Sequence, residues 1–303
     1  MKRFIFAGLF SVVGAFAGAA LAGDPAAPGG AVGIASAKSP ATGRHPMAVQ
    51  AESSFFTALE ETPATRDAAL GELLMAYGID STDGRTATLL GLGHLWAAAE
   101  GGDRNPKAIE HLLLAERFLT RAGELNPTDD RIPSWLMPAR MALAGVERRP
   151  DRFPELYAGL IEAYGRRPAF HSFSVGLVNS HQKPGTPRFE EGLKAVRSAY
   201  TVCRKESPDR SCGNPVHAPH NREGFALFAA AYEVRAGNLP EAAELLEGSR
   251  GLDSYASWPY RERSEELRVA VAAALKGDSA AMEERTAAAL KTGGSCRACH
   301  GSK

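Results

Sequence analysis

The sequence predicts an all-α protein built as an irregular α-solenoid of helical hairpins. Three observations lead there. From Met47 onward, apolar residues recur at the three-and-four spacing that lines one face of a helix. Gly, Pro and Asn-Pro breaks divide this pattern into segments of helix length. Runs of Val, Ile, Thr and aromatic residues, from which strands are made, are nearly absent. With 303 residues the chain is long enough for one large domain, or two small ones, with a hydrophobic core.

The first segment reads as an export signal. Met1, Lys2 and Arg3 give a short positive start, and Phe4 to Leu21 is apolar and uncharged. Ala20-Leu21-Ala22 fits the small-x-small cleavage rule, so residues 1–22 are expected to be removed and the mature chain to begin at Gly23. An uncleaved anchor is the alternative, but the run is near the lower length limit for a span and contains several glycines. No cysteine stands at the cleavage site to carry a lipid. No span is expected in the mature chain. Residues 23–46 are rich in Pro, Gly and Ala, bury little apolar area and read as a flexible linker.

The helical body is expected over residues 47–290. Ser53 to Glu61 and Thr65 to Tyr77 form its first helices, with Pro63 between them. Leu92, Gly93 and Trp96 then set a large, small, aromatic spacing on one helix, and Ala108, Leu112 and Ala115 answer it on the next. Small residues let two antiparallel helices approach, and large ones fill the groove. The pattern returns at Phe228, Ala229 and Tyr232, turns at Gly237-Asn238, and continues at Ala242, Leu245 and Leu246. Gly192, Val196 and Ala199 mark the packed face of a further helix between Arg188 and Tyr200. Trp258-Pro259 opens a helix to about Lys276, Gly277-Asp278-Ser279 breaks it, and Ala280 to Lys291 forms the last long helix. Over Leu89 to Leu290 the chain resembles tetratricopeptide-type hairpins, with an irregular period and several signature positions missing. An irregular α-bundle is the alternative, and it too is all-helical.

Residues 291–303 hold the motif with the most chemistry, Cys296-Arg297-Ala298-Cys299-His300. Two cysteines at this spacing, followed at once by histidine, form a c-type haem-attachment pattern. The thiols of Cys296 and Cys299 would form thioethers with the porphyrin vinyl groups, and His300 would bind the iron as proximal axial ligand. One covalent haem c is therefore expected. A thioredoxin-like pair would need a βαβ context, and a zinc site would need further ligands near Gly301-Ser302-Lys303, which supply none. The run from Lys291 to His300 resembles the C-terminal end of class II cytochromes, the cytochrome c′ type. That resemblance implies an iron with an open distal side. It covers only the tail, so the family's four-helix bundle is not carried over. No methionine follows His300, which excludes a downstream distal methionine.

A distal ligand from upstream remains open. His217 and His220 precede a helix and are the first candidates; His94, His111, His171 and His181 follow, and Met282 is awkwardly far along its helix. Cys203 and Cys212 read as a local disulfide of an oxidising compartment. Their other reading is a zinc set with His217 and His220, although the spacing is longer than that of a usual zinc knuckle.

Charge bounds the partners. The chain carries 35 basic and 35 acidic residues; removal of Lys2 and Arg3 leaves 33 against 35, a net of −2. No nucleic-acid surface or basic membrane patch is expected. No hydrolase triad, phosphate-cradling glycine loop or paired-carboxylate site is present, which favours a carrier or binding protein over an enzyme. The leading expectation is a periplasmic or otherwise exported electron carrier whose helical scaffold docks a redox partner. Two alternatives stand beside it: a haem-based sensor or gas-binding protein with five-coordinate iron, and a haem-free helical scaffold.

Overall fold

The computed structural model describes residues 43–61, 63–100, 105–204, 212–215 and 217–301. The expected leader and nearly all of the expected linker lie outside the described residues. Among the described residues there are thirteen α-helices and no strand. Twelve of the helices pair in order: α1 (Pro46–Glu60) with α2 (Pro63–Ile79), α3 (Gly84–Ala99) with α4 (Ala108–Leu125), α5 (Pro133–Val146) with α6 (Phe153–Arg166), α7 (Pro168–Asn179) with α8 (Pro187–Arg204), α9 (Asn221–Arg235) with α10 (Leu239–Arg250), and α11 (Arg261–Ala274) with α12 (Met282–Gly293). A single turn of helix, α13 (Cys296–His300), ends the series. Each helix also packs on the one that follows it in the chain, so the fold is a stack of hairpins.

Proline punctuates the stack. Pro46, Pro63, Pro133, Pro168 and Pro187 open their helices, and Pro154 and Pro240 occupy the second position of theirs. In the first turn the missing N–H costs nothing, and the fixed φ already suits the helix. Between α9 and α10, Gly237 turns the chain at φ +82°, where a side chain would be strained. One continuous hydrophobic cluster runs from Ala48 on α1 to Ala289 on α12 and includes Trp96, Trp135, Tyr232 and Trp258.

The hairpin positions read from the sequence fall in this core. Leu92, Trp96, Leu112 and Ala115 are buried where α3 meets α4, and Phe228, Tyr232, Ala242 and Leu246 are buried where α9 meets α10. Three helix starts differ from expectation. The first helix begins at Pro46, the last residue of the expected linker and seven residues before the expected Ser53. The helix expected to start at Trp258-Pro259 starts at Arg261, after a 3-10 turn over Tyr255–Ser257. Trp258 is extended, at φ −70° and ψ 122°, because a residue before proline is driven out of the helical region. The last long helix starts at Met282 rather than Ala280, whose N–H donates to the Asp278 carboxylate in the preceding turn. No helix among the described residues is long and apolar enough to cross a membrane.

The two ends of the stack meet. The short α13 packs on α12, on α9 and on α1. The Arg297 guanidinium donates to the carbonyl of Glu61, at the end of α1 and 236 positions away in sequence, at 3.0 Å.

Candidate functional site

The site is built on α13 and the surfaces that receive it. Ser295 precedes the helix in extended conformation, and Cys296, Cys299 and His300 follow within little more than one turn. Cys299 and His300 close this single turn. Helix α9 receives this turn through Gly224. A Cβ there would stand 2.7 Å from the Cys299 Sγ and 3.0 Å from the Ala298 carbonyl, so only glycine admits the approach. The Cys299 thiol is buried, 4.0 Å from the Asn221 carbonyl.

Three backbone contacts fix the turn. The His220 N–H donates to the Cys299 carbonyl at 3.0 Å. The Trp258 Nε1–H donates to the Ala298 carbonyl at 2.8 Å. The His300 Nδ1 faces the His217 carbonyl at hydrogen-bond distance. A carbonyl oxygen can only accept, so the proton belongs on Nδ1, and the Nε2 lone pair is the one that can bind a metal. His300 is fully buried. A ring held through Nδ1 by a backbone carbonyl is the usual setting of a metal-ligating histidine, because the carbonyl fixes the tautomer and raises the basicity of Nε2.

The structure brings His217 and His220 to the motif, on a particular side of it. Both belong to the segment that hydrogen-bonds to α13, His217 through its carbonyl to His300 Nδ1 and His220 through its N–H to the Cys299 carbonyl. The His217 ring stacks on Phe56 of α1, with centroids 3.8 Å apart and planes 14° from parallel. The His220 Nδ1 stands 3.6 Å from the Glu223 carboxylate, an ionic distance rather than a hydrogen bond. Glu223 has no solvent exposure. Burial alone pushes its carboxyl up, but His220, the Ser254 hydroxyl and Asn214 outweigh burial and hold it below the usual carboxylate range.

The other candidates lie elsewhere. His94 and His111 face each other from α3 and α4 with their Nδ1 atoms 3.0 Å apart. His171 Nδ1 meets the Ser134 hydroxyl at 2.6 Å. His181 is exposed after α7, and Met282 packs at the edge of the core. Cys203 and Cys212 are disulfide-bonded, with Cα atoms 5.0 Å apart, and so do not combine with His217 and His220 as a zinc set. Among the described residues no group of three or more His, Cys, Asp and Glu could hold a metal ion.

Sequence reasoning did not find Gly224, Trp258, Phe56 or the Arg297 contact to Glu61. None of them carries a local signal. Trp258 and Gly224 read as ordinary core and helix positions until the tail is laid across them.

Fold and site together define an all-α protein of consecutive helical hairpins whose two ends meet at a Cys-x-x-Cys-His turn, with Cys299 and His300 buried. Comparison with protein-family models, with curated proteins and with solved structures finds no match.

Proposed function

We propose that the chain is an exported monohaem c-type cytochrome whose helical body docks a redox partner protein. The observation that carries the reading is His300, held through Nδ1 by the His217 carbonyl directly after the second cysteine of the motif. Cys296 and Cys299 would hold the porphyrin through thioethers, and His300 would bind the iron from the proximal side. A haem held there supplies one-electron chemistry, with the iron alternating between ferric and ferrous states. The residues of the chain do the rest. The His217 carbonyl keeps the His300 proton on Nδ1, α9 and α1 keep water from the imidazole, and Trp258 holds the end of the turn. Stacked hairpins offer extended surfaces suited to a protein partner. The apolar leader sequence and the Cys203–Cys212 disulfide support export to an oxidising compartment such as the periplasm.

Two other readings are each favoured by an observation. The His217 carbonyl is taken up by the His300 Nδ1, the His217 ring by Phe56, and the His220 N–H by the Cys299 carbonyl, so neither histidine is singled out as a second ligand for a haem held by His300. This favours a five-coordinate iron and with it a sensor or gas-binding role. The burial of both Cys299 and His300 favours a haem-free scaffold in which the last turn only clasps the ends.

One preparation separates the three. The mature protein is produced with an active cytochrome maturation system and its intact mass measured after denaturation, followed by oxidised and reduced absorption spectra with and without carbon monoxide. A mass raised by one haem supports the cytochrome, and a mass equal to that of the polypeptide overturns it. With haem present, a reduced spectrum changed readily by carbon monoxide supports the five-coordinate reading. An unreactive six-coordinate spectrum supports the electron carrier.

A further inference from the structure

The first hairpin presents an apolar face where the last presents charges. Leu74, Met75 and Ile79 of α2 are 45%, 58% and 52% exposed. Spaced by three and four positions, they share one helix face with Gly78. A Cβ at Gly78 would meet nothing within 4 Å, so the face is open there. Among the described exposed residues of α2 only Asp67 is charged, and it stands about two turns from Leu74. In the hairpin at the other end, α12 exposes Glu283, Glu284, Ala287 and Lys291. The terminal unit of a repeat stack needs a polar outer face to meet water. The last turns of α2 do not supply one.

The chain enters the body beside this face. The described residues begin at Gly43, and the Arg44 Nε–H donates to the Asp83 carboxylate at 2.9 Å. Asp83 stands four positions beyond Ile79, the last residue of α2. His45 then caps α1, accepting from the Met47 N–H at 3.2 Å. Residues ahead of Gly43 therefore join the body at the Ile79 end of α2. Between Gly23 and Thr42, Val32 and Ile34 are the only apolar side chains larger than Ala or Pro. A spacing of two puts both on one side of an extended chain. Nine positions separate Ile34 from Gly43, an extended reach of about 30 Å. The patch from Ile79 back to Leu74 is about 8 Å long.

We propose that residues 31–37 fold back over the last turns of α2, with Val32 and Ile34 seated against Leu74, Met75 and Ile79 above Gly78. The occupant is the chain's own segment rather than a second copy. A segment held on so short a connection is present at an effective concentration on the order of mM, which free molecules do not reach. The expected linker is thereby the cap of the first hairpin. No residue of α13 takes part, so the proposal goes beyond the haem reading and stands apart from it.

The test is hydroxyl-radical footprinting of the mature chain by X-ray radiolysis and mass spectrometry. The parent is compared with the double variant Val32→Asp with Ile34→Asp, and with Met75→Asp. Leu113, exposed on α4, is the internal reference. Modification of Leu74, Met75 and Ile79 should be at least about three-fold faster in the double variant than in the parent, with Leu113 unchanged, because burial of the side chains is lost. Met75→Asp should raise the modification of Val32 and Ile34 in the same way. Both substitution sites lie outside the core, and circular dichroism would show the helices intact. Equal rates in the parent and the double variant overturn the proposal. Rates that are equal in both but fall as protein concentration rises also overturn it, and assign the face to a second copy.

Discussion

Two helix glycines make opposite predictions. Gly71 sits in the middle of α2, and a Cβ there would meet nothing within 4 Å. Gly71→Ala should therefore gain helix propensity with no clash and stabilise the protein by about 1 kcal/mol. Gly293 lies at the end of α12, where a Cβ would stand 2.8–2.9 Å from the backbone and Cβ of Phe228 on α9. Backbone cannot yield as a side-chain tip can. Gly293→Ala should lose about 1–3 kcal/mol despite the same propensity gain. Thermal melts of the two variants would check both signs.

Two buried imidazoles predict a pH dependence. Burial, joined by the charges of His111 and Arg66, lowers the His94 pKa to about 4; burial also lowers His171 to about 4. Both are lower than in the unfolded chain, so on acidification the unfolded state takes up protons first. Their contribution is complete above about pH 6.5 and is lost as the pH falls toward 4, on the order of 3 kcal/mol each at full effect. The urea midpoint should fall between pH 7 and pH 5, and His171→Gln should flatten the fall; a midpoint constant across that range would sink the assignment.

At the scale of elements, the Cys203–Cys212 disulfide ties the end of α8 to the approach to α9, a separation of 9 positions. Closing a loop of this length in the unfolded chain is worth ~2–3 kcal/mol. The double variant Cys203→Ser with Cys212→Ser should show that loss in denaturant titrations, and a reducing agent should reproduce it in the parent but not in the variant.

Legibility followed the range of the physics. Helix positions with local causes could be read, such as the turn at Gly237-Asn238 or the buried spacing of Leu92 and Trp96. The disulfide could be read because both partners lie in one short stretch. The motif could be read as a pattern, but its setting could not. His217 was legible as a histidine, whereas its structural part is played by its carbonyl, which every residue has. The starts of α11 and α12 moved by two or three residues, because Pro259 holds Trp258 extended and Asp278 takes the Ala280 N–H.

For the whole molecule, the meeting of α13 with α1 sets the expectation. An open stack of hairpins has weak terminal units, because each has a neighbour on one side only. Here the two ends share a contact, through Arg297 on α13 to Glu61 at the end of α1. Arg297→Ala should raise amide hydrogen exchange in α1 and α13 together and leave α5 and α6 unchanged. Loss of protection at α13 alone would show that the contact is incidental.

This closure changes what kind of object the protein is when it is strained. A row of hairpins pulled or heated from one end gives way unit by unit, like a chain of falling tiles. A row bent round until its head rests on its tail has no first tile, and it resists until the clasp itself fails.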